Sequence, residues 1–217
     1  MERGTWNINK VLRSRFYVLQ LLYNIPMLKI VKIPNSVLTT PVKQVEEFNS
    51  ELKRLLTEME ETLKAQINPQ GVGLAAPQVG KSQALFIIKP GKNAKIEAFI
   101  NPKILKTILG KLNQSKSVHP SAGGSINSTK RKKKKVRLEG CLSIPKIWGP
   151  VHRAERVLLS YQDETGKSIK KWYSGFKSVI IQHELDHLQG ILFTQRTLEQ
   201  KNQLYEEQDG NLEKLEY

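Results

Sequence analysis

The chain has a single cysteine among its 217 residues, Cys141. An intramolecular disulfide is therefore excluded, and the composition fits a reducing compartment. Long apolar runs are also missing: no stretch approaches the ~18 residues of a membrane span, which removes the membrane as a partner. A third absence is local. From Ala98 to Leu138 there are eleven Lys or Arg and no acidic residue, and without that stretch the formal charge of +15 falls to +4. The remaining chain is long enough to bury one sizeable core as a single domain.

What is present begins with His183-Glu184-Leu185-Asp186-His187, an H-E-x-x-H. Apolar Phe176, Val179, Ile180 and Ile181 precede it, Leu185 and Leu188 continue the pattern, and Gly190 suits a stop. The spacing predicts a largely buried helix over Ser174–Leu188. Residues four apart share a helical face, so two imidazoles can hold one metal ion while the Glu between them reaches a water. The chemistry this suggests is metal-assisted hydrolysis.

Two histidines leave a ligand missing, since hydrolytic sites of this kind take three protein ligands and one water. Glu207, twenty residues after His187, stands where a zinc endopeptidase would place its third ligand. Cys141, in Glu139-Gly140-Cys141-Leu142-Ser143, is the other candidate, and an inert buried thiol is its bland alternative. A third segment, Gly71-Val72-Gly73-Leu74-Ala75-Ala76-Pro77-Gln78, imitates a dinucleotide fingerprint. That fingerprint must follow a strand and open a helix. Here it follows a helix-like segment and a loop, and Pro77 interrupts it, so its small residues point to closely packed backbone instead.

Together the three segments resemble the peptide deformylases, whose motifs are G-φ-G-φ-A-A-x-Q, E-G-C-L-S and Q-H-E-x-D-H-L-x-G. All fixed positions match, in order, over about residues 27–205, interrupted by one insertion. The resemblance implies that Cys141, His183 and His187 bind one divalent metal, Fe2+ in the cell with Zn2+, Ni2+ or Co2+ as substitutes. It implies Glu184 as general base and acid, with the Gln78 amide and the Leu142 backbone N–H as oxyanion donors. The substrate it implies is the N-formylmethionyl end of a nascent polypeptide, cleaved to formate and a free amine. Val72, Phe176, Val179 and Ile180 would line a methionine pocket, and Gly73 and Gly140 would offer backbone to the peptide. Asp186 and Gln182 are candidates to support the histidines, and Glu139 and Arg153 have the signs of an ion pair.

The expected architecture is α+β: short, mainly antiparallel strands around the central metal-binding helix. Helical spacing of Phe48, Leu52, Leu55, Leu56, Met59 and Leu63 predicts a helix over about Val45–Gln66. Strands are expected at Ala84–Lys89, Ala98–Asn101, Val157–Gln162 and Ser168–Tyr173, and a last helix from about Leu198 onward. Residues 206–217 read as a tail. The Ser, Gly, Asn and Lys-rich stretch at about 113–135 reads as a disordered, low-complexity insertion. Two readings stay open for it: a solvated loop without a partner, or contact with ribosomal RNA. Residues 1–26, with four basic residues and one acidic, resemble the end of a transit peptide, which points to a plastid or mitochondrion, with a bacterial cytoplasm as the alternative. The rival readings are the zinc endopeptidase using Glu207 and a basic RNA-binding protein. Trp148 is a further candidate, for narrowing access of the peptide.

Overall fold

The structure, a computed structural model, describes residues 26–110 and 138–216. The basic insertion and nearly all of the amino-terminal extension lie outside the described residues, and so do the readings placed on them. Helix α1 (Ser50–Ala65) is followed by strand β1 (Gly73–Ala75), a 3₁₀ turn at Ala76–Val79, β2 (Leu85–Ile88) and β3 (Glu97–Ile108). Then come β4 (Leu138–Cys141), β5 (Ile144–Pro150), β6 (Arg156–Gln162) and β7 (Ser168–Ser174). Helices α2 (Phe176–Leu188) and α3 (Phe193–Glu199) follow, and β8 (Tyr205–Gln208) and β9 (Asn211–Lys214) close the chain.

All strand pairs in the two sheets are antiparallel. One sheet runs β1-β2-β3-β6-β7 and the other β4-β5-β8-β9. The expected α+β architecture is the observed one. Strand β2 reads Leu-Phe-Ile-Ile, without polar alternation, because helices cover both of its faces. Leu85 and Ile87 pack with Leu55, Leu56, Met59 and Leu63 of α1. Phe86 and Ile88 point the other way, into a cluster with Phe99, Tyr161, Ile180, Ile181 and Leu185 beneath α2.

Helix α1 starts at Ser50 rather than Val45, because the Asn49 side chain caps it by accepting from the N–H groups of Glu51 and Leu52. Helix α2 has no side-chain cap at Gly175 and carries β-branched Val179, Ile180 and Ile181. Its own propensity is poor, so burial against β1, β2 and β7 stabilises it. It ends where Gly190 takes φ +72°, and a Cβ there would meet the Thr39 backbone at 2.7 Å.

The helix expected from about Leu198 onward is not present. Helix α3 ends at Glu199, Lys201 takes φ +57°, and a hairpin follows whose turn, Asp209-Gly210, has positive φ at both residues. Asp-Gly in that conformation matches the right-handed twist of the flanking strands. Residues 206–216 thus include β9 and most of β8, which extends the second sheet through β5.

Candidate metal centre

Three chain segments converge on the site. Cys141 ends β4 just before the turn Leu142-Ser143, and Cys141 pairs with Ile144 across it. His183 and His187 stand one turn apart on α2. One donor atom from each of Cys141, His183 and His187 lies within 4.8 Å of the others, and the Cys141 thiol sulfur is 3.2 Å from His187 Nε2. Gln78, in the 3₁₀ turn after β1, donates its amide Nε2 to the same sulfur at 3.3 Å and to Ser143 Oγ at 3.4 Å. Its carbonyl Oε1 accepts from the Ala75 N–H at 2.9 Å, which fixes which way the amide faces.

Glu184 points towards β1. It is 3 % exposed, and its Oε2 has no hydrogen-bond partner. A Cβ on Gly73 would sit 2.2 Å from Glu184 Oε1 and 2.9 Å from Ile180 Cγ2, so only glycine fits there. Burial raises the Glu184 carboxyl to about 7; the charges of His183 and His187 oppose the rise, and those of Cys141 and Glu139 add to it. Burial also acts to raise the Cys141 thiol. The charge of His187 and hydrogen bonding to both histidines outweigh it and hold the thiol well below its ordinary value. A thiol so held readily gives the thiolate that a metal needs.

Behind the ligands lies a buried charge chain. His183 Nδ1 is 3.0 Å from Glu139 Oε2, and Arg153 grips both oxygens of Glu139 at 2.9 Å. Arg153 also donates to Asp186 Oδ2 at 2.5 Å, and Arg196 from α3 reaches Asp186 Oδ1 at 2.9 Å. Burial raises Glu139, but the hydrogen bonds from Arg153 and His183 reverse that and take it down to about 2. The suspected Glu139–Arg153 pair is therefore real.

Neither Gln182 nor Asp186 bonds a histidine directly; Asp186 reaches His183 only through Arg153 and Glu139. Gln182 sits one position round the helix from His183 and bonds the Ala154 backbone and Ser178. Asp186 bonds the two arginines, and the observed partner of His183 is Glu139. Sequence reasoning missed Arg196, and also Phe193, whose buried ring lies over His183 with centroids 6.1 Å apart. Neither belongs to a motif, so only the chain reversal after Gly190 brings them in.

The other candidates fall into place unevenly. Ile180 is buried beside Gly73. Val72 is half-buried against the cluster under α2, and Leu142 against the α1 cluster. Val179 is half-buried, and Phe176 is 37 % exposed at the start of α2. Gly140 lies against Trp148: a Cβ there would meet the indole at 2.8 Å. Glu207 does not join the metal group. It lies on β8 and accepts from Trp148 Nε1 at 2.9 Å, which deprives the zinc-endopeptidase reading of its third ligand.

A half-buried thiol and two imidazoles, set beside a carboxyl poised near neutrality, are the equipment of a metal-dependent hydrolase. The sequence profile of the family described as Polypeptide deformylase matches residues 27–203. A peptide deformylase of Symbiobacterium thermophilum is 38% identical over 171 residues, which cover 78% of this chain and 66% of that protein. Peptide deformylase 1 of Bacillus anthracis is 36% identical over 78% of this chain and 92% of its own. The crystal structure of peptide deformylase from Thermotoga maritima superposes with a TM-score of 0.62 at 32% identity, covering 79% of this chain and 97% of that one. The chain belongs to the polypeptide deformylase family, a family of metal-dependent hydrolases.

Proposed function

We propose that the chain removes the formyl group from the amino-terminal N-formylmethionine of newly made polypeptides, with Cys141, His183 and His187 holding one divalent metal. The observation that carries this reading is the convergence of those three donors beside Glu184. The donor set fits an ion. A depressed thiol and two imidazoles suit Fe2+, Zn2+, Ni2+ or Co2+. Fe2+ is the ion we assign to the cell, on the resemblance of the motifs. Bound there, the ion supplies Lewis acidity towards water and the formyl carbonyl.

The protein's own groups do the rest. Glu184 takes a proton from the attacking water and returns one to the departing amine, so the formyl C–N bond breaks and formate leaves. A carboxyl near neutrality suits both tasks. The Gln78 amide and the Leu142 N–H donate to the oxyanion, and losing one such donor costs about 3 kcal/mol of barrier. Gln78 is held for this by Ala75, and its N–H already faces the thiol. The substrate lies as an extended strand along β1, which is an edge strand of its sheet. Val72, Gly73 and Gly140 offer it backbone, and Val179, Ile180 and Phe176 shape the methionine pocket. The composition of residues 1–26 supports an organelle of bacterial ancestry as the place of action.

Formate release from formyl-Met-Ala-Ser by anaerobically purified protein tests the reading. We expect release by the wild type, none by Glu184→Ala with its metal retained, and loss of the metal in Cys141→Ser. Metal kept in Cys141→Ser, or no formate from metal-loaded wild type, would remove it.

A further inference from the structure

Among the described residues, the five-stranded sheet is only half covered on its α1 side. Helix α1 packs there on β1 and β2, and the same face continues past it over β3, β6 and β7. The register shows what this open half presents. Lys103 aligns with Ser160 and Lys170, Lys106 with Leu158 and Trp172, and Ile108 with Arg156 and Ser174. Alternate residues of β6, Val157, Leu159 and Tyr161, are buried on the other face, so these three rows share the side facing solvent. Lys103, Lys106, Arg156, Lys170 and Trp172 are all exposed. None of the aligned positions is acidic; Glu155, Asp163 and Glu164 lie beyond the ends of β6. Trp172 is 37 % exposed, and the Arg156 guanidinium lies 5.1 Å from the centre of its ring.

We propose that this face binds RNA. Four cations over three aligned rows without an acidic residue complement a phosphate backbone, and the exposed indole in their midst offers a base a ring to stack on. The rows lie ~7 Å apart and the strands ~4.8 Å apart, so the cations are spread at distances that successive phosphates can span. The chain's own undescribed segments do not complement the face. Residues 111–137 hold nine Lys or Arg and no acidic residue, and residues 1–25 hold four basic residues and one acidic. Like charge sets both against a basic surface. The occupant is therefore an anion from outside the chain, and Trp172 selects one that has bases. An anionic lipid surface would use the cations and leave the indole without a stacking partner.

The test is binding of a fluorescently labelled single-stranded 20-nucleotide RNA to the full chain, by anisotropy over a series of salt concentrations. The triple variant Lys103→Gln, Lys106→Gln, Lys170→Gln should bind at least ~10-fold more weakly and lower the salt slope by about one per lysine. Trp172→Ala should cost a further ~10-fold on RNA and leave binding to vesicles of phosphatidylserine and phosphatidylcholine unchanged. Unaltered melting temperatures and circular dichroism establish that the variants fold. Two outcomes overturn the proposal: wild-type affinity in the triple variant, which would place all RNA binding outside this face, and equal loss on RNA and vesicles with Trp172→Ala without effect, which would make it a general anion surface.

Discussion

Gly73 and Glu184 share a space that holds only one side chain: a Cβ on the glycine would come within 2.2 Å of Oε1 of the glutamate. The edge strand and the central helix therefore meet at the carboxyl to which we assign the proton transfer. Gly73→Ala must push Glu184 aside. We expect kcat for the formyl peptide to fall about 100-fold, since small displacements of a reacting group cost that much. Metal content should stay at the wild-type level, so metal analysis alongside kinetics separates displacement of Glu184 from damage to the ligands.

Arg153 holds Glu139 and Asp186 at once, all three nearly buried. Arg153→Met leaves buried Glu139 without its arginine and Asp186 with Arg196 alone, a loss on the order of 3–5 kcal/mol. Denaturant unfolding should show that loss. Arg153→Lys should recover little of it, because a lysine cannot grip both oxygens of Glu139 while reaching Asp186.

Glu184 sets a pH dependence of the metal-free protein. Its carboxyl is raised from the ordinary 4.5 to about 7. The folded state therefore binds more protons than the unfolded state between those values, and stability falls as pH rises through that window. Glu184→Gln removes the ionising group. Melting curves of chelated protein should show the variant more stable than wild type above pH 7, with the difference vanishing below pH 4.5. A constant difference across the range would show that burial does not control this carboxyl.

Trp148 lies on Gly140 and is tied through its indole N–H to Glu207. It thus flanks the strand that carries Cys141. Trp148→Ala should change kcat/KM for formylated hexapeptides by several-fold relative to formyl-Met-Ala-Ser. An equal effect on both substrates removes the idea that it gates peptide length.

The three motifs made the metal centre legible in the sequence because its ligands lie in short, self-announcing segments. What supports those ligands was only partly visible. Glu139 and Arg153 carried suitable charges, but their meeting depends on β4 and the loop after β5, and Arg196 reaches Asp186 only because the chain reverses at Gly190. Strands β2, β6 and β7 were apparent from runs of β-branched and aromatic residues, but only the start of β3, to Asn101, was; its continuation to Ile108 is largely exposed and lysine-rich and gave no such run. Strands β4 and β5 were not apparent, since Leu142-Ser143 lacks the Asn-Gly or Asp-Gly pair that announces a two-residue hairpin turn. The closing hairpin had its signal in Asp209-Gly210, but the regularly spaced residues after Leu198 suggested a helix instead.

Cys141 belongs to the four-stranded sheet, whereas both histidines ride on a helix seated on the five-stranded one. An ion held by all three is thus a clasp between two halves of the molecule as well as a reagent. Occupancy should therefore decide how cooperatively the halves open: with the ion bound we expect amides of β4 and β5 to exchange together with those of α2, and earlier than them after chelation.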